Sequence, residues 1–494
     1  MERDVIDQLR ATLRDRANER GIEYAGQWAS WGEIARYGDA VAAALDAAGC
    51  PPEARVGIVI RNRIAHAAAV VGLLAHRRSI SFIYPFLPRA AMAEHLTGLG
   101  AGAILADTED WPAFEETVAA QGMAGIALGS LVAGPRPVPG LERSTRASSP
   151  AESSDQGTIE VLSSGTTGTP KRIAMPLRLL ERAVLSAPGG EAGAAPEVQI
   201  NIWPLGGVGG VCLLTAAAVH GTPLVLMERF TVDALVDALR RHRPSTLGLN
   251  PTAIAMIMDA AVAPEDMASV RSVSGGSAYL DPDLQDRFEE RYGIPILWGL
   301  GATEFCGTIV RWTPQMRAEF GTSKRGSAGL PMPGVSVRAV DPETGDPVPT
   351  GSEGLMEVHC PAVRPDWVRT TDLIMLDEDG FLFHRGRNDG AIVRGGFKIL
   401  PERVVDVLRQ HPAVADASVV GLADARLGAV PVAAVELRAQ AQPIDAAALT
   451  AWLRETLPPT HVPAQIRIVD ALPRTPSLKV SLQHVKALFE TQDA

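Results

Sequence analysis

The residues whose types suit chemistry lie in short segments that follow predicted strands. The first segment is SSGTTGTPK, at 163–171, directly after the strand-like TIEVL. Its hydroxyls and glycines would let backbone N–H groups surround phosphate oxygens, and Lys171 adds a positive charge. The GxxxxGK[ST] spacing of a Walker loop is absent. Taken alone, the segment is more typical of a flexible Ser/Gly/Thr turn.

Two further segments also follow predicted strands. SGGSAYL, at 274–280, comes after a strand predicted at ASVRSV, and its adjacent glycines would permit a flat ligand to approach the backbone. LGATE, at 300–304, comes after PILWG. Glu304 beside a phosphate-binding loop could hold Mg²⁺, although a Glu at a helix N-terminus is also favoured by the helix dipole.

The last two segments carry separate charges. Asp372 could accept hydrogen bonds from two ribose hydroxyls, and Arg387 could bind phosphate. The strand, turn and strand around them are equally compatible with a surface hairpin. Lys479, in LPRTPSLKVS, stands in a proline-broken loop where a lysine is ordinarily just solvated.

Together and in this order, the five segments resemble the adenylate-forming superfamily of acyl- and aryl-CoA synthetases, nonribosomal adenylation domains and luciferases. The similarity extends over almost the whole chain. It implies ATP-dependent activation of a carboxylic acid to an acyl-adenylate with release of pyrophosphate, and it implies Mg²⁺. The implied ATP-binding residues are Ser163, Ser164, Gly165, Thr166, Thr167, Gly168, Lys171, Gly275, Gly276, Ser277, Thr303, Asp372, Arg387 and Lys479.

The resemblance also assigns catalytic roles. Lys479, Thr303 and Glu304 are the implied catalytic residues, with Glu304 as the metal ligand. Attack of a carboxylate on the α-phosphate brings two anions together, so positive charge is needed where negative charge accumulates. A carboxylate is already ionised at neutral pH, so no general base is required. Lys479 would leave with a mobile C-terminal domain after adenylation.

Further positions concern the hinge, the acyl pocket and the acceptor. Asp389 matches the hinge, and Gly395, Gly396 and Phe397 would then face the site and leave room for a pantetheine arm. The implied acyl-binding residues are Trp203, Gly206, Gly207, Asn250, Gly275 and Gly299. Repeated glycine favours a bulky or flat aryl acid over acetate. CoA is the expected acceptor; the alternatives are capture of the adenylate by an amine, as in an amide synthetase, and loading of a separate carrier protein.

Four positions depart from the family pattern. Leu300 stands where an aromatic residue usually packs on adenine, and Gly206 and Gly207 stand where Phe and a gating His are usual. Leu478 replaces the glycine that usually precedes the C-terminal lysine. None of these changes removes a charged catalytic group. A non-enzymatic nucleotide-binding regulator is disfavoured because Asp372, Glu304 and Lys479 are all present.

The elements that must position these residues fall into two predicted domains. A chain of 494 residues exceeds one ordinary core. Helices and strands alternate from 27 to 105, which predicts a helix-covered parallel sheet. We expect an α/β N-terminal domain at 1–388, with a small β subdomain at about 310–388, and a mobile α+β C-terminal domain at 389–494. The Pro/Ser-rich stretch at 132–157 reads as a surface linker.

Composition narrows the partners and the compartment. A formal net charge of −11 argues against nucleic-acid binding. The four cysteines are isolated in sequence, which suits a reducing cytoplasm and predicts neither a disulfide framework nor a zinc site. The uncharged stretch from 202 to 227 is long enough to span a membrane, but its glycines and prolines favour a loop, a buried helix and a buried strand. We therefore expect no membrane span.

Overall fold

The computed structural model describes residues 4–85, 89–145, 157–162, 172–181, 184, 197–276, 278, 280–388, 390–394, 397–424, 427–439, 441, 444–475 and 478–490. Within these residues the helices are α1 (Val5–Asp15), α2 (Trp31–Ala47), α3 (Ile64–Ala75), α4 (Arg89–Thr97), α5 (Glu115–Ala120), α6 (Val208–His220), α7 (Val232–His242), α8 (Pro251–Asp259), α9 (Pro264–Met267), α10 (Pro282–Tyr292), α11 (Pro314–Phe320), α12 (Pro401–Arg409), α13 (Ala446–Thr456) and α14 (Leu482–Glu490).

The strands are numbered along the chain in the same way. They are β1 (Arg20–Tyr24), β2 (Gln27–Ser30), β3 (Val56–Val59), β4 (Ile80–Ile83), β5 (Ala103–Asp107), β6 (Ala124–Leu128), β7 (Arg136–Pro137), β8 (Thr158–Leu162), β9 (Arg172–Pro176), β10 (Gln199–Asn201), β11 (Leu224–Leu226), β12 (Thr246–Leu249), β13 (Ser272–Gly275), β14 (Ile296–Ala302), β15 (Gly307–Arg311), β16 (Leu330–Pro331), β17 (Ser336–Val340), β18 (Glu353–Cys360), β19 (Arg364–Leu376), β20 (Leu382–Arg387), β21 (Ile392–Arg394), β22 (Phe397–Ile399), β23 (Val414–Asp424), β24 (Gly428–Leu437) and β25 (Gln465–Val469).

A seven-stranded sheet organises the first part of the chain. Its order is β7-β6-β5-β3-β4-β8-β9, parallel from β6 to β8 and antiparallel at both edges. The apolar strands β3, β4 and β5 are buried along their whole length, as the predicted parallel sheet requires. Helix α2 begins with a capping box between Ser30 and Glu33. It packs so closely on α3 that a Cβ at Gly38 would clash with Gly72.

Three smaller sheets complete the N-terminal part. β10-β11-β1-β2 forms one sheet, and β12-β13-β14-β15-β16 forms a second in which β12, β13 and β14 are parallel. The third, β17-β18-β19-β20, is an antiparallel meander that lies within the small β subdomain expected at about 310–388. Its buried face shares an apolar cluster with β15.

The C-terminal part is an α+β unit. β22, β21, β24 and β23 form its sheet, and β25 pairs in parallel with β24. Buried residues of α12 and α13 form one apolar cluster with this sheet, and α14 forms a second cluster with it. The large α/β part followed by a smaller α+β part confirms the predicted fold class.

Two details differ from the expectations. The Pro/Ser-rich stretch is not wholly a surface linker, because β7 pairs with β6 and Val138 and Leu141 are buried. The strand predicted at ASVRSV begins later, at Ser272, because Pro264 starts the short helix α9 and the Val270 N–H closes a turn on Met267. None of the helices among the described residues has the length and apolar character needed to cross a bilayer.

Candidate active site

The carboxyl ends of three parallel strands bring together part of the predicted pocket. Leu249, Gly275 and Trp298 are neighbours in register across β12, β13 and β14. Asn250 follows β12 directly, and its side-chain oxygen accepts the Ala253 N–H at 2.8 Å to cap α8. Asn250, Gly275 and the residues after Trp298 therefore meet at one edge, the usual place for a ligand in an open α/β sheet.

The glycines at this edge serve close packing more than they widen a pocket. A Cβ at Gly206 would stand 2.6 Å from the Ile60 side chain, and one at Gly299 would stand 2.9 Å from the Val310 carbonyl. A Cβ at Gly275 would clash with the Leu249 carbonyl and the Trp298 ring. Only at Gly207, among these four, is the nearest atom at ordinary contact distance, 3.5 Å away. The expectation that repeated glycine leaves room for a bulky acid therefore keeps its basis only at Gly207.

Asn62, which follows β3 of the seven-stranded sheet, holds the segment that carries Trp203. The sequence alone did not single out this residue. The Asn62 amide donates to the carbonyls of Trp203 and Met227, both at 3.0 Å, and its oxygen accepts the Leu205 N–H at 2.8 Å. The Trp203 ring is half-buried, and a Cβ at Gly248 would lie 3.3 Å from its indole nitrogen. Trp203 thus stands beside β12.

Thr303 and Glu304 form a 3-10 turn at the end of β14. The Glu304 side chain is exposed, and within the described part of the chain it makes no hydrogen bond or ion pair. Leu300 packs against the apolar cluster of the β17–β20 sheet. The turn therefore presents a carboxylate, as a cation site would need.

Asp372 and Arg387 are direct partners on neighbouring strands. The pair sits in register across β19 and β20, and the Arg387 guanidinium donates to the Thr371 hydroxyl at 2.7 Å. The His384 Nε2 lies 3.2 Å from an Asp372 carboxylate oxygen. Burial would raise the pKa of the Asp372 carboxyl, but His384, Arg387 and the Thr370 hydroxyl outweigh it and hold that pKa below its usual range. Asp372 is therefore a fixed anion.

Lys479 lies in a tight turn of the C-terminal part and close to Arg387. The Thr475 N–H donates to the Lys479 carbonyl at 2.7 Å, and the Lys479 N–H donates to the Thr475 hydroxyl at 3.2 Å. Leu478 adopts a left-handed φ of 62°, which costs a non-glycine residue roughly 1–2 kcal/mol and which a glycine would adopt without that cost.

The Lys479 amine is in an unusual electrostatic position. Burial lowers its pKa, and the nearby positive charge of Arg387 lowers it further. Among the described residues this amine has no hydrogen bond or ion pair. Two cations are thus placed together where an anionic ligand would lower the free energy of both.

Several predicted site residues lie outside the described residues, and nothing is concluded about their placement. They are Ser163, Ser164, Gly165, Thr166, Thr167, Gly168, Lys171, Ser277, Asp389, Gly395 and Gly396. The strands on either side of the 163–171 segment pair with each other, Leu162 opposite Arg172. The backbone of Phe397 begins β22, and Gly276 follows β13, where its added Cβ would meet the Gly299 carbonyl.

The structure has two parts, with charged residues suited to a nucleotide where they meet, and the comparisons with known proteins give its family. The AMP-binding enzyme family model matches residues 9–365, and the AMP-binding enzyme C-terminal domain matches residues 405–479. The chain belongs to this family, the adenylate-forming enzymes.

Similar proteins include a 2-succinylbenzoate–CoA ligase of Bacillus subtilis (strain 168), 30% identical over 340 residues, 65% of this chain and 67% of that protein. A sulfoacetate–CoA ligase of Cupriavidus necator is 31% identical over 406 residues, 76% of this chain and 77% of that protein. The solved o-succinylbenzoate CoA synthetase from Bacillus subtilis, in complex with the acyl-adenylate intermediate OSB-AMP, shares the fold. Its TM-score is 0.78, with 24% identity and 98% of each chain covered.

Proposed function

We propose that this protein is an AMP-forming acyl-CoA ligase, which joins a carboxylic acid to CoA at the expense of ATP. The observation that carries the proposal is the position of Lys479. A lysine of the C-terminal part lies beside Arg387 of the N-terminal part, desolvated and, among the residues that the structure describes, without an anionic partner. The similarity to CoA ligases supports the same reaction.

In the first step, a carboxylate oxygen of the acid attacks the α-phosphorus of ATP. The new O–P bond forms as the bond between the α-phosphorus and its bridging oxygen breaks, and pyrophosphate leaves. Lys479 stabilises the charge that develops between the acid and the α-phosphate, and Arg387 holds the nucleotide. Asp372, kept ionised by its neighbours, accepts hydrogen bonds from the ribose hydroxyls.

The residues present also fit the expected Mg²⁺. Magnesium ions in nucleotide sites are usually held by one or two carboxylates together with substrate phosphates, and Glu304 offers an exposed carboxylate at the end of β14. Bound Mg²⁺ would neutralise charge on the leaving pyrophosphate.

In the second step, the CoA sulfur attacks the acyl carbon, AMP leaves with the electrons of the acyl–phosphate bond, and the thiol proton passes to solvent. CoA is the acceptor because the similar proteins are CoA ligases. The acid is proposed to be aromatic or bulky. Its support is the half-buried Trp203 ring beside β12 and the open side of Gly207.

The test is mass spectrometry of products formed from ATP, Mg²⁺ and a panel of acids, with CoA or an amine supplied in separate reactions. The panel pairs aryl acids with small aliphatic acids and includes sulfoacetate. We expect AMP and an aryl- or bulky-acyl-CoA, formed much faster than any amide.

Three other outcomes would change the proposal. Efficient amide formation without CoA, and no thioester when CoA is present, would indicate an amide synthetase. Highest catalytic efficiency with a small aliphatic acid would overturn the acid class alone. Acyl-adenylate that transfers to neither acceptor would point to a separate carrier protein.

A further inference from the structure

The peptide carbonyl directly before Lys479 is held by two donors from different parts of the chain. The Thr252 hydroxyl, in the first turn of α8, donates to the Leu478 carbonyl at 3.0 Å. The Arg474 guanidinium donates to the Thr252 hydroxyl at 3.1 Å and to the same carbonyl at 3.4 Å. Thr252 thus joins the N-terminal part to the turn that carries Lys479.

Arg474 is held in place by an ion pair with a residue of the C-terminal sheet. Its guanidinium pairs with an Asp416 carboxylate oxygen at 2.7 Å, and the other oxygen pairs with Arg409 at 2.7 Å. Asp416 stands near the start of β23 and is 17% exposed at its side chain. The chain of contacts therefore runs from the C-terminal sheet through Arg474 to Thr252.

Helix α8 links this contact to the acyl side of the site. It begins at Pro251, directly after Asn250 at the carboxyl end of β12. The Leu478 side chain also packs against the apolar cluster that contains Leu249, Ile254 and Trp298. The turn before Lys479 is therefore seated, by a side chain and a carbonyl, on the elements that would hold the acid.

We propose that Thr252 and Arg474 are positioning residues that hold the Leu478 carbonyl and thereby aim Lys479 for adenylation. The inference rests on the proposed function, and it identifies the contact that stabilises the arrangement in which Lys479 lies at the active site. A lysine side chain has four rotatable bonds, so its charge is useful only if its backbone is fixed. Under the proposed function Lys479 acts in adenylation, so loss of this contact should slow the first step and leave thioester formation unchanged.

The test compares Thr252→Val, which keeps the side-chain shape but removes the hydroxyl, with Thr252→Ser, which retains it. Thr450→Val is the matched control, because the Thr450 hydroxyl donates to the Ala446 carbonyl within α13, away from the site. Two rates are measured for each protein: ATP–pyrophosphate exchange with the preferred acid, and acyl-CoA formation from supplied acyl-adenylate. Thermal melting checks that each variant is folded.

We expect Thr252→Val to slow pyrophosphate exchange roughly tenfold, the kinetic equivalent of one hydrogen bond, with an unchanged rate from acyl-adenylate. Thr252→Ser and Thr450→Val should remain near wild type. Unchanged exchange in folded Thr252→Val, or an equal loss in both rates, would overturn the positioning role. Failure of the wild-type protein to form any adenylate would instead overturn the proposed function, so the two failures are distinguishable.

Discussion

At the scale of single residues, Lys479 shows how the site favours a polyanion. Its charged form is disfavoured by burial and by Arg387, and no described carboxylate compensates. Proteins normally neutralise a partly buried cation with an anionic partner, because the alternative is a lowered pKa. A triphosphate would supply an anionic partner to Lys479 and Arg387 at once. The repulsion between the two cations would then be offset by the ligand, which favours ATP binding and stabilises negative charge in the transition state.

We predict that Lys479→Ala reduces pyrophosphate release roughly 100-fold or more, the usual loss when one group that stabilises transition-state charge is removed. ATP binding and the fold should be largely retained, because Asp372 and Arg387 remain. Pyrophosphate release by a coupled assay and ATP affinity by calorimetry are the measurements. Lys486→Ala is the control, since Lys486 is about half exposed and pairs only weakly with Glu490 at 3.6 Å. A near-wild-type release rate in Lys479→Ala would refute the assignment.

At the scale of elements, local patterns predicted what local interactions determine. The alternation of helices and strands expected from 27 to 105 is observed in α2, β3, α3 and β4, because short-range sterics and burial decide these elements. The turn at 377–380 fixes the pairing of β19 with β20 next to it, and a register shift between Leu373 and Ile374 then places Asp372 opposite Arg387. The same hairpin also carries His384, whose contact with Asp372 no sequence motif indicated.

Other parts of the site depend on contacts far apart in the chain, and no local signal carried them. Asn62 contacts residues more than 140 positions away, and Thr252 contacts Leu478 across 226 positions. The glycines of the expected acyl pocket show the same dependence on distant contacts. Whether a glycine opens a pocket or admits a neighbouring strand depends on what packs beside it, as Ile60 does at Gly206. Leu478, by contrast, gave a signal as a departure from the family glycine.

The Asp416 cluster gives a prediction about the C-terminal sheet. Burial would raise the pKa of the Asp416 carboxyl, but Arg409 and Arg474 hold it below its usual range. Asp416→Asn would remove the anion that both guanidinium groups share, leaving Arg474 with only the more distant Glu436 carboxylate at 3.9 Å, and should destabilise the protein by about 3 kcal/mol at neutral pH. Because the folded-state pKa is lowered, this stabilisation is present above the ordinary Asp pKa and is lost as pH falls through the lowered value.

Urea unfolding at pH 7 measures this change, with Asp470→Asn at an exposed position of the same part of the chain as control. The gap between Asp416→Asn and wild type should narrow below pH 4. A variant as stable as wild type at pH 7 would mean that the two arginines find other partners.

At the scale of the whole molecule, the two parts meet through α12 as well as through the Lys479 turn. Asp406 of α12 is influenced by the charges of Asp281, at the cap of α10, and of His384, on β20. Burial, together with Asp281 and Glu402, raises the pKa of Asp406 to about 6 against the opposing effects of Arg409 and His384. The arrangement that brings Lys479 to its site thus also encloses a carboxyl that is costly to ionise.

This cost makes the association of the two parts dependent on pH. Since the folded-state pKa of Asp406 is raised, its favourable contribution is complete below the unfolded value near 4 and is lost as pH rises through about 6. Asp406→Asn stays neutral throughout. It should therefore stabilise the protein by roughly 2 kcal/mol at pH 7.5 and change little at pH 4.

Calorimetric melting at both pH values isolates the effect as the difference between variant and wild type, because other groups titrate in both proteins. Glu455→Gln, at an exposed site on α13, should show the same small difference at both pH values. If the stability difference between Asp406→Asn and wild type were the same at both pH values, Asp406 would be ionised and solvated in the folded protein. Protonation of Asp406 would then make no contribution to the association of the two parts.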